Sequence, residues 1–218
     1  PIYADLHTHS ISSGHGSEDT ITDMIRCASE SGLSLFGISD HGPATSSSAK
    51  PSYFQSLKLA DRDRFGIRVL YGAELNIINT AGDVDLDDDT LSTLDYAIIS
   101  IHPPIFKPYH DKDLSSAYIR AMDHPKVRFL GHIDDARFPV DFEYLLEIAK
   151  EKHVYPEINN GSLMPDAYRI NGQENCRRIL SICKKLELPV LLSSDSHGKK
   201  NIGNMQYIFP LLEELDFP

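Results

Sequence analysis

The chain has 218 residues, of which 41% are hydrophobic and 24% are charged, proportions typical of a globular protein with a sizeable core. Acidic residues outnumber basic ones by 32 to 21, and the net charge of −11 argues against non-specific nucleic-acid binding, which needs clustered Lys and Arg. We see neither an apolar run approaching the roughly 18 residues of a membrane helix nor a basic-then-apolar leader, and we therefore expect a cytoplasmic protein.

Strand-like and helix-like segments alternate along the chain. The helix after the first strand has apolar side chains at i, i+3, i+4 and i+7, and Gly32 marks its end. A later helix follows Asp141, a residue type that caps helix N-termini. In chain order we predict strand 2–6, helix 20–31, strand 33–39, helix 53–61, strands 67–73 and 94–101, helix 114–122, strand 127–131, helix 142–149, strand 154–158, helix 173–186, strand 189–193 and helix 205–215.

Apolar strands that alternate with amphipathic helices indicate a parallel sheet covered by helices. The seven predicted strands suggest one α/β domain over residues 1–218, a closed or nearly closed TIM-like barrel one strand short. A doubly wound open sheet is the alternative architecture. Cys27, Cys176 and Cys183 fall in predicted helices and form no Cys-x-x-Cys pair. Cys176 and Cys183 are seven residues apart on the apolar face of one helix, which indicates buried thiols rather than ligands or a disulfide.

Six of the seven predicted strands end in a histidine or a carboxylate, or carry one in the loop just after. Because the carboxyl ends of parallel strands share one rim of a barrel, we expect these side chains to lie together. Closure of the barrel would also set the His-x-His at residues 7–9 opposite the Asp-x-His at residues 195–197. The candidate metal ligands are His7, His9, His15, His41, Glu74, His102, His132, Asp195 and His197.

The other histidines serve as an internal control, because none of them ends a predicted strand. His110 lies in a polar loop, and His124 and His153 follow helices, so we assign no site role to any of the three. Glu157 ends the sixth strand, but Glu is common at strand ends and we leave it out of the site.

Zinc typically takes three or four protein ligands and keeps a position for water when it is catalytic. Nine ligands therefore suit three divalent ions, most simply zinc, with Mn or Fe compatible with His and carboxylate donors. Such ions would outweigh the two ligand carboxylates and create a cationic pocket inside an acidic protein. That pocket would attract a compact anion such as a phosphate monoester.

The residues that carry these ligands form five short runs: Asp5-Leu6-His7-Thr8-His9, Ser39-Asp40-His41-Gly42, Gly72-Ala73-Glu74, Gly131-His132 and Ser194-Asp195-Ser196-His197. With these runs the chain resembles the polymerase-and-histidinol-phosphatase (PHP) superfamily, and within it the YcdX-type phosphatases. The resemblance implies a distorted seven-stranded (β/α)7 barrel. It also implies three ion sites, with His7, His9, Glu74 and Asp195 on the first, His15, His41 and His197 on the second, and His102 and His132 on the third, bridged by Glu74.

Metal chemistry then suggests the reaction. A hydroxide bridging two ions would attack phosphorus in line, with Glu74, Asp195 and His197 acting through it as the catalytic residues. We expect a small phosphorylated substrate and inorganic phosphate as product, with no membrane or nucleic-acid partner, and a homo-oligomer is compatible with the sequence. The alternatives are a phosphodiesterase or exonuclease of the same superfamily and a non-catalytic metal-binding protein. Structural zinc sites are usually rich in cysteine, which favours catalysis here.

Overall fold

The computed structural model describes residues 3–107 and 112–218. The strands in these ranges are β1 (Ala4–Asp5), β2 (Thr8–His9), β3 (Leu35–Ile38), β4 (Asp63–Arg64), β5 (Ile67–Asn76), β6 (Tyr96–Ser100), β7 (Val127–Leu130), β8 (Tyr155–Asn159), β9 (Leu191–Ser193) and β10 (Ser196–His197). The helices are α1 (Ile21–Glu30), α2 (Pro51–Ser56), α3 (Asp88–Leu91), α4 (Ser115–Ala121), α5 (Phe142–Glu151), α6 (Asn160–Leu163), α7 (Gly172–Leu186) and α8 (Ile208–Glu214).

Seven parallel strands form one sheet in the order β1-β3-β5-β6-β7-β8-β9, and β4 adds a short antiparallel pairing to β5. This order follows the chain without the reversal that a doubly wound sheet requires. The sheet curves into a nearly closed barrel, so the seven-stranded prediction is confirmed and the open-sheet alternative is wrong. Helices connect the strands and cover the outside.

The barrel closes at its carboxyl rim rather than along its full height. The two-residue strand β10 pairs in parallel with β2, which sets Ser196 opposite Thr8 and His197 opposite His9. The predicted apposition of the His-x-His and Asp-x-His runs is thus confirmed. Sequence periodicity could not reveal β2 or β10, because two residues carry no period and the pairing joins opposite ends of the chain.

Local sequence accounts for the principal helices. Thr20 caps α1 in a capping box with Asp23, and Asp141 accepts a hydrogen bond from the backbone N–H of Tyr144, at 3.1 Å, as expected of an N-cap. One strand extends beyond its prediction: β5 continues to Asn76, which pairs with Ser100 of β6. Glu74 therefore lies within a strand instead of just after it.

Side chains fill the barrel interior, as in other barrels of this type. Leu6, Tyr96 and Ile98 form a buried cluster, and the Tyr96 hydroxyl donates to the carbonyl of Leu6 at 2.5 Å. A side chain at Gly37 would collide with that hydroxyl and with the Leu6 backbone. Glycine at this position therefore lets β3 pass close to the Tyr96 hydroxyl and to the backbone of Leu6.

All three cysteines are free thiols. Cys176 and Cys183 lie on the buried face of α7, and Cys27 is half-buried. The predicted buried thiols are confirmed for the two residues of α7. None of the helices in the described residues is long and apolar enough to cross a membrane.

Asp5 ties the first strand to the last part of the chain. Its fully buried carboxylate accepts hydrogen bonds from the Ser194 backbone N–H at 3.2 Å, the Ser194 hydroxyl at 2.5 Å and the Gly203 backbone N–H at 2.8 Å. Three donors from the segment after β9 thus converge on one residue of β1, beside the β2–β10 pairing.

We expect Asp5→Ala to lower the free energy of unfolding by about 3 kcal/mol, because it leaves buried donors without an acceptor. Urea denaturation of the two proteins in the same buffer measures the difference. Asp63→Ala is the control, since its ion pair with Arg68 is at the surface, where Asp63 is 82% exposed, and the change should lie within experimental error. Equal midpoints for wild type and Asp5→Ala would contradict this account of closure.

Candidate metal centre

His7 and His9 follow β1 and direct their Nε2 atoms at two acidic side chains. His7 Nε2 lies 2.8 Å from Glu74 Oε2 and 3.3 Å from Asp195 Oδ1. His9 Nε2 lies 3.1 Å from Asp195 Oδ1 and 3.8 Å from Glu74 Oε1. Both imidazoles are fully buried, so two nitrogens and two carboxylates face one another at the base of the rim.

The Glu74 carboxylate lies at the middle of the rim. Its Oε1 is 2.8 Å from His41 Nδ1 and 3.3 Å from His102 Nε2, and its Oε2 is 3.3 Å from His132 Nε2. Each oxygen of this carboxylate thus faces a different set of histidines, and Glu74 would hold a divalent ion bound among them.

The remaining histidines extend the cluster toward the opening. The ring of His15 lies 5.6 Å from that of His41 and 5.3 Å from that of His197, and the rings of His41 and His197 are 5.7 Å apart. The structure thus brings all nine predicted side chains together at one rim. Their role as ligands stays a prediction.

Within residues 3–107 and 112–218, three overlapping groups of side chains have potential ligand atoms within 4.8 Å of one another. They are His7, His9 and Asp195; His9, His41 and His197; and His41, Glu74 and His102. Each combines donor types that divalent transition metals accept. His9 and His41 occur in two groups each, so the spacing of the donors alone does not divide them among ions.

Many ring nitrogens and carboxylate oxygens of this cluster are buried and make no hydrogen bond, although buried polar atoms almost always have a hydrogen-bond partner. They are His7 Nε2, His9 Nε2, His41 Nδ1, Glu74 Oε1, His132 Nε2, Asp195 Oδ1 and His197 Nε2. Divalent cations would satisfy these lone pairs together, so the residues present fit a metal centre.

The opposite ring nitrogens are held by protein atoms, as the ring nitrogens of metal-binding histidines generally are. His102 Nδ1 lies 2.8 Å from Asn76 Oδ1, and His197 Nδ1 lies 3.0 Å from the carbonyl of Asp195. His9 Nδ1 is 2.9 Å from the hydroxyl of Ser13. That hydroxyl donates to Asp40 at 2.7 Å, so it must accept from His9, and the ring's lone pair is then on Nε2.

Protonation preferences follow from burial and from the neighbours. Although burial raises the pKa of a carboxyl group, neighbouring histidines hold the pKa of Glu74 well below its usual range, and His7 and Arg169 do the same for Asp195. Burial, together with His41 and His197, lowers the pKa of His9. Although burial lowers the pKa of an imidazole, Glu157 and Asp195 raise the pKa of His7, and Glu74 raises that of His41. Metal binding requires anionic carboxylates and neutral imidazoles, so binding at His7 and His41 would release protons.

Sequence reasoning missed Glu157, which is fully buried beneath the cluster. Its carboxylate accepts from the His132 backbone N–H at 2.9 Å, the Ser193 hydroxyl at 2.6 Å and the Asn159 amide at 3.0 Å, and it contacts His7 Nδ1. Glu157 therefore joins three strand ends and orients His7. The available signal was an acidic residue on a strand that is otherwise buried.

Arg169 was also missed, because it lies in the loop between α6 and α7, where no periodic pattern exists. Its Nη2 donates to Asp195 Oδ2 at 2.7 Å and its Nη1 donates to the Ser162 hydroxyl at 3.2 Å. With one oxygen bound to Arg169, Asp195 turns the other toward His7 and His9.

Two of the control histidines fall within the described residues and lie away from this cluster. His124 Nδ1 accepts from the backbone N–H of Lys126 at 3.1 Å, and His153 is exposed in the turn after α5. His110 lies outside the described residues. For the two that are described, the distinction between strand-end and other histidines agrees with their positions.

The histidine cluster opens into a cavity of about 490 Å³. Loops after β3, β6, β7 and β8 supply its walls, and the rim histidines and Asp195 supply its floor. Side-chain exposure increases toward the cavity, from 0% for His7 to 19% for His102 and 30% for His197. A small molecule can therefore approach the cluster from this side.

A model of the PHP domain matches residues 5–161. The chain belongs to the PHP family. The matched region holds seven of the nine candidate ligands. The other two, Asp195 just before β10 and His197 within it, lie outside the matched region.

Relatives at the level of sequence support this membership. A probable phosphatase of Clostridium acetobutylicum is 37% identical, and one of Clostridium novyi is 35% identical, over 98% of this chain and 86% of each relative. Histidinol phosphate phosphatase of Lactococcus lactis, solved with zinc, L-histidinol and phosphate, has a TM-score of 0.67 at 19% identity, covering 99% of this chain and 94% of that one. The resemblance inferred from the sequence runs, and the PHP fold, are confirmed.

We expect Glu157→Gln to weaken metal binding by about 10- to 100-fold. Glutamine keeps only one acceptor oxygen. Its NH2 group must therefore face either His7 Nδ1 and the Ser193 hydroxyl or the His132 backbone N–H and the Asn159 amide, and either choice disturbs the contacts that orient His7 and His132. Competition with a chromophoric chelator measures the affinity. Glu147→Gln, on the exposed face of α5, is the matched control, and unchanged affinity in Glu157→Gln would contradict the orienting role.

Proposed function

We propose that the chain is a metal-dependent phosphatase that hydrolyses small phosphate monoesters and holds three divalent ions. Zinc is the first choice by ligand type, and Mn or Fe also suits these donors. The observation that carries the proposal is the buried Glu74 carboxylate, flanked by buried histidine nitrogens that make no hydrogen bond. The enzyme class, a hydrolase of phosphoric ester bonds, follows from the PHP family and from the relatives named as probable phosphatases.

The proposed ligand sets are those implied by the family resemblance. Distances around Glu74 and Asp195 support the first set and those around Glu74, His102 and His132 support the third. The rings around His15 support the second. We propose His7, His9, Glu74 and Asp195 for the first ion, His15, His41 and His197 for the second, and His102, His132 and Glu74 for the third.

Bound divalent ions would supply a nucleophile at neutral pH and stabilise charge on the phosphoryl oxygens. The residues of this chain prepare that chemistry. Glu74, Asp195 and His197 are the catalytic residues that we propose act through the metals. Arg169 and Glu157 fix the orientations of Asp195 and His7, so little reorganisation is needed when substrate binds.

The Lactococcus lactis protein, whose structure contains zinc and phosphate together, supports a metal-bound phosphate as ligand class here. The proposed partners are accordingly a small phosphorylated substrate and inorganic phosphate. Pairing between β2 and β10 joins both ends of the chain, which supports a single domain over residues 1–218. Three free thiols fit the cytoplasmic location expected from the sequence.

The exonuclease alternative requires a basic track for a polynucleotide. Among the described residues that line the cavity, Arg137 is paired with Asp135 at 2.6 Å and Arg169 with Asp195 at 2.7 Å. Neither guanidinium is an unpaired cation, which favours a small substrate.

The non-catalytic alternative is disfavoured by the open cavity over the cluster.

Metal content provides one test of the proposed function. Protein prepared with excess metal should carry close to three divalent ions per chain, and His132→Ala should lose both metal and most activity. His124→Ala removes a histidine outside the cluster and should leave both near wild type. Elemental analysis beside a phosphatase assay tests this, and a single tightly held ion in wild type would exclude the three-ion site.

The preferred class of substrate provides another test. A small cationic pocket should hydrolyse 4-nitrophenyl phosphate well and bis(4-nitrophenyl) phosphate poorly, because the diester carries less charge and needs room on both sides of phosphorus. Single-stranded DNA should stay nearly intact, since the net charge of −11 repels a polyanion. Values of kcat/KM on one metal-loaded preparation decide it, and faster cleavage of diester or DNA would favour the nuclease alternative.

A further inference from the structure

We propose that the organic part of the substrate is a flat ring, held at the cavity mouth by the stacked side chains of Tyr168 and Arg137. The inference deepens the proposed function and rests on it. It assigns a leaving-group subsite to two residues that the metal centre does not use.

The stack itself is the first observation. The guanidinium of Arg137 lies over the ring of Tyr168, with its carbon 4.4 Å from the ring centroid. Both side chains line the cavity, yet Tyr168 is 72% exposed. A large aromatic side chain so open at the mouth of a cavity offers an unfilled surface to a planar ligand.

The stack is held in place by contacts that do not involve substrate. Asp135 accepts from Arg137 Nε at 3.0 Å and from Nη2 at 2.6 Å, so the guanidinium plane is fixed by a bidentate pair. The Ala136 backbone N–H donates to the carbonyl of Ile170 at 2.9 Å, which joins the loop after β7 to the loop that carries Tyr168. A platform built before binding costs a ligand little ordering entropy.

The wall next to this platform is apolar. Pro103, Pro104 and Ile105, in the loop after β6, line the same cavity. Phe106 of that loop packs edge-on against Phe138 of the loop after β7, with centroids 6.3 Å apart. Two loops supported by each other thus enclose a space with an aromatic face and an aliphatic face.

Charge balance narrows the ligand further. Outside the histidine cluster, the described lining residues carry charge in two pairs, Arg137 with Asp135 and Arg169 with Asp195. No lining cation in these residues is left to neutralise a second phosphate or a carboxylate. The substrate class is therefore an aromatic or heteroaromatic monophosphate whose only strong negative charge is the phosphate.

The main comparison uses benzyl and cyclohexylmethyl phosphate, which are of similar size and release similar primary alcohols, so that chemical reactivity does not decide the outcome. Benzyl phosphate presents a flat ring, cyclohexylmethyl phosphate presents a puckered ring, and 2-phosphoglycolate adds a second anionic group. We expect kcat/KM on the metal-loaded enzyme to favour benzyl over cyclohexylmethyl phosphate by about tenfold, the value of one aromatic contact. 2-Phosphoglycolate should be the poorest of the three.

Variants then locate the preference. Tyr168→Ala should reduce the benzyl-to-cyclohexylmethyl ratio to near unity, and Tyr168→Phe should retain it, because the ring and not the hydroxyl forms the platform. Tyr144→Ala, at a half-exposed tyrosine of α5, should leave the ratio unchanged. A wild-type ratio near unity, or a ratio that survives Tyr168→Ala, would overturn the subsite while leaving the phosphatase intact. Failure of all three monoesters would instead count against the proposed function itself.

Discussion

The contacts between the buried Glu74 carboxylate and the surrounding imidazoles are the interaction on which the rest of the structure depends. This carboxylate is 1% exposed and lies within 4 Å of nitrogens from His7, His9, His41, His102 and His132. A buried carboxylate costs several kcal/mol unless positive charge or hydrogen bonds compensate it. The five imidazoles come from four different strand ends, so the barrel must bring those ends together for Glu74 to be tolerated, and the metal centre that we propose provides the compensating charge.

The surrounding fold explains why this arrangement can be rigid. Asp5 fastens the segment after β9 to β1, while Glu157 links the ends of β7, β8 and β9 beneath His7. Arg169 reaches Asp195 from a loop. Each of these residues satisfies donors or charges that the site leaves buried, so stability and site geometry depend on the same contacts.

The sequence was informative where residues stand at the ends of periodic segments. The apolar stretches 67–73 and 94–101 predicted strands, and His102, His132 and the two paired motifs were found because they follow such strands. Glu157 was passed over because one acidic residue at a strand end has no distinctive spacing. Arg169 and Tyr168 could not be placed, since loops carry no period. The contact of Tyr168 with Arg137 depends on how the loops after β7 and β8 pack. The division of ligands among ions likewise depends on angles that spacing does not encode.

Closure between β2 and β10 also affects when the site can exist during the life of the protein. Ser194 and Asp5, which lie beside that closure, are 189 residues apart in the chain. At common rates of translation this separation corresponds to a delay on the order of tens of seconds between the two residues. Throughout that time His7 and His9 have been synthesised, whereas Asp195 and His197 have not. A nascent chain therefore cannot hold all nine proposed ligands, and assembly of the proposed metal centre must follow synthesis of β10.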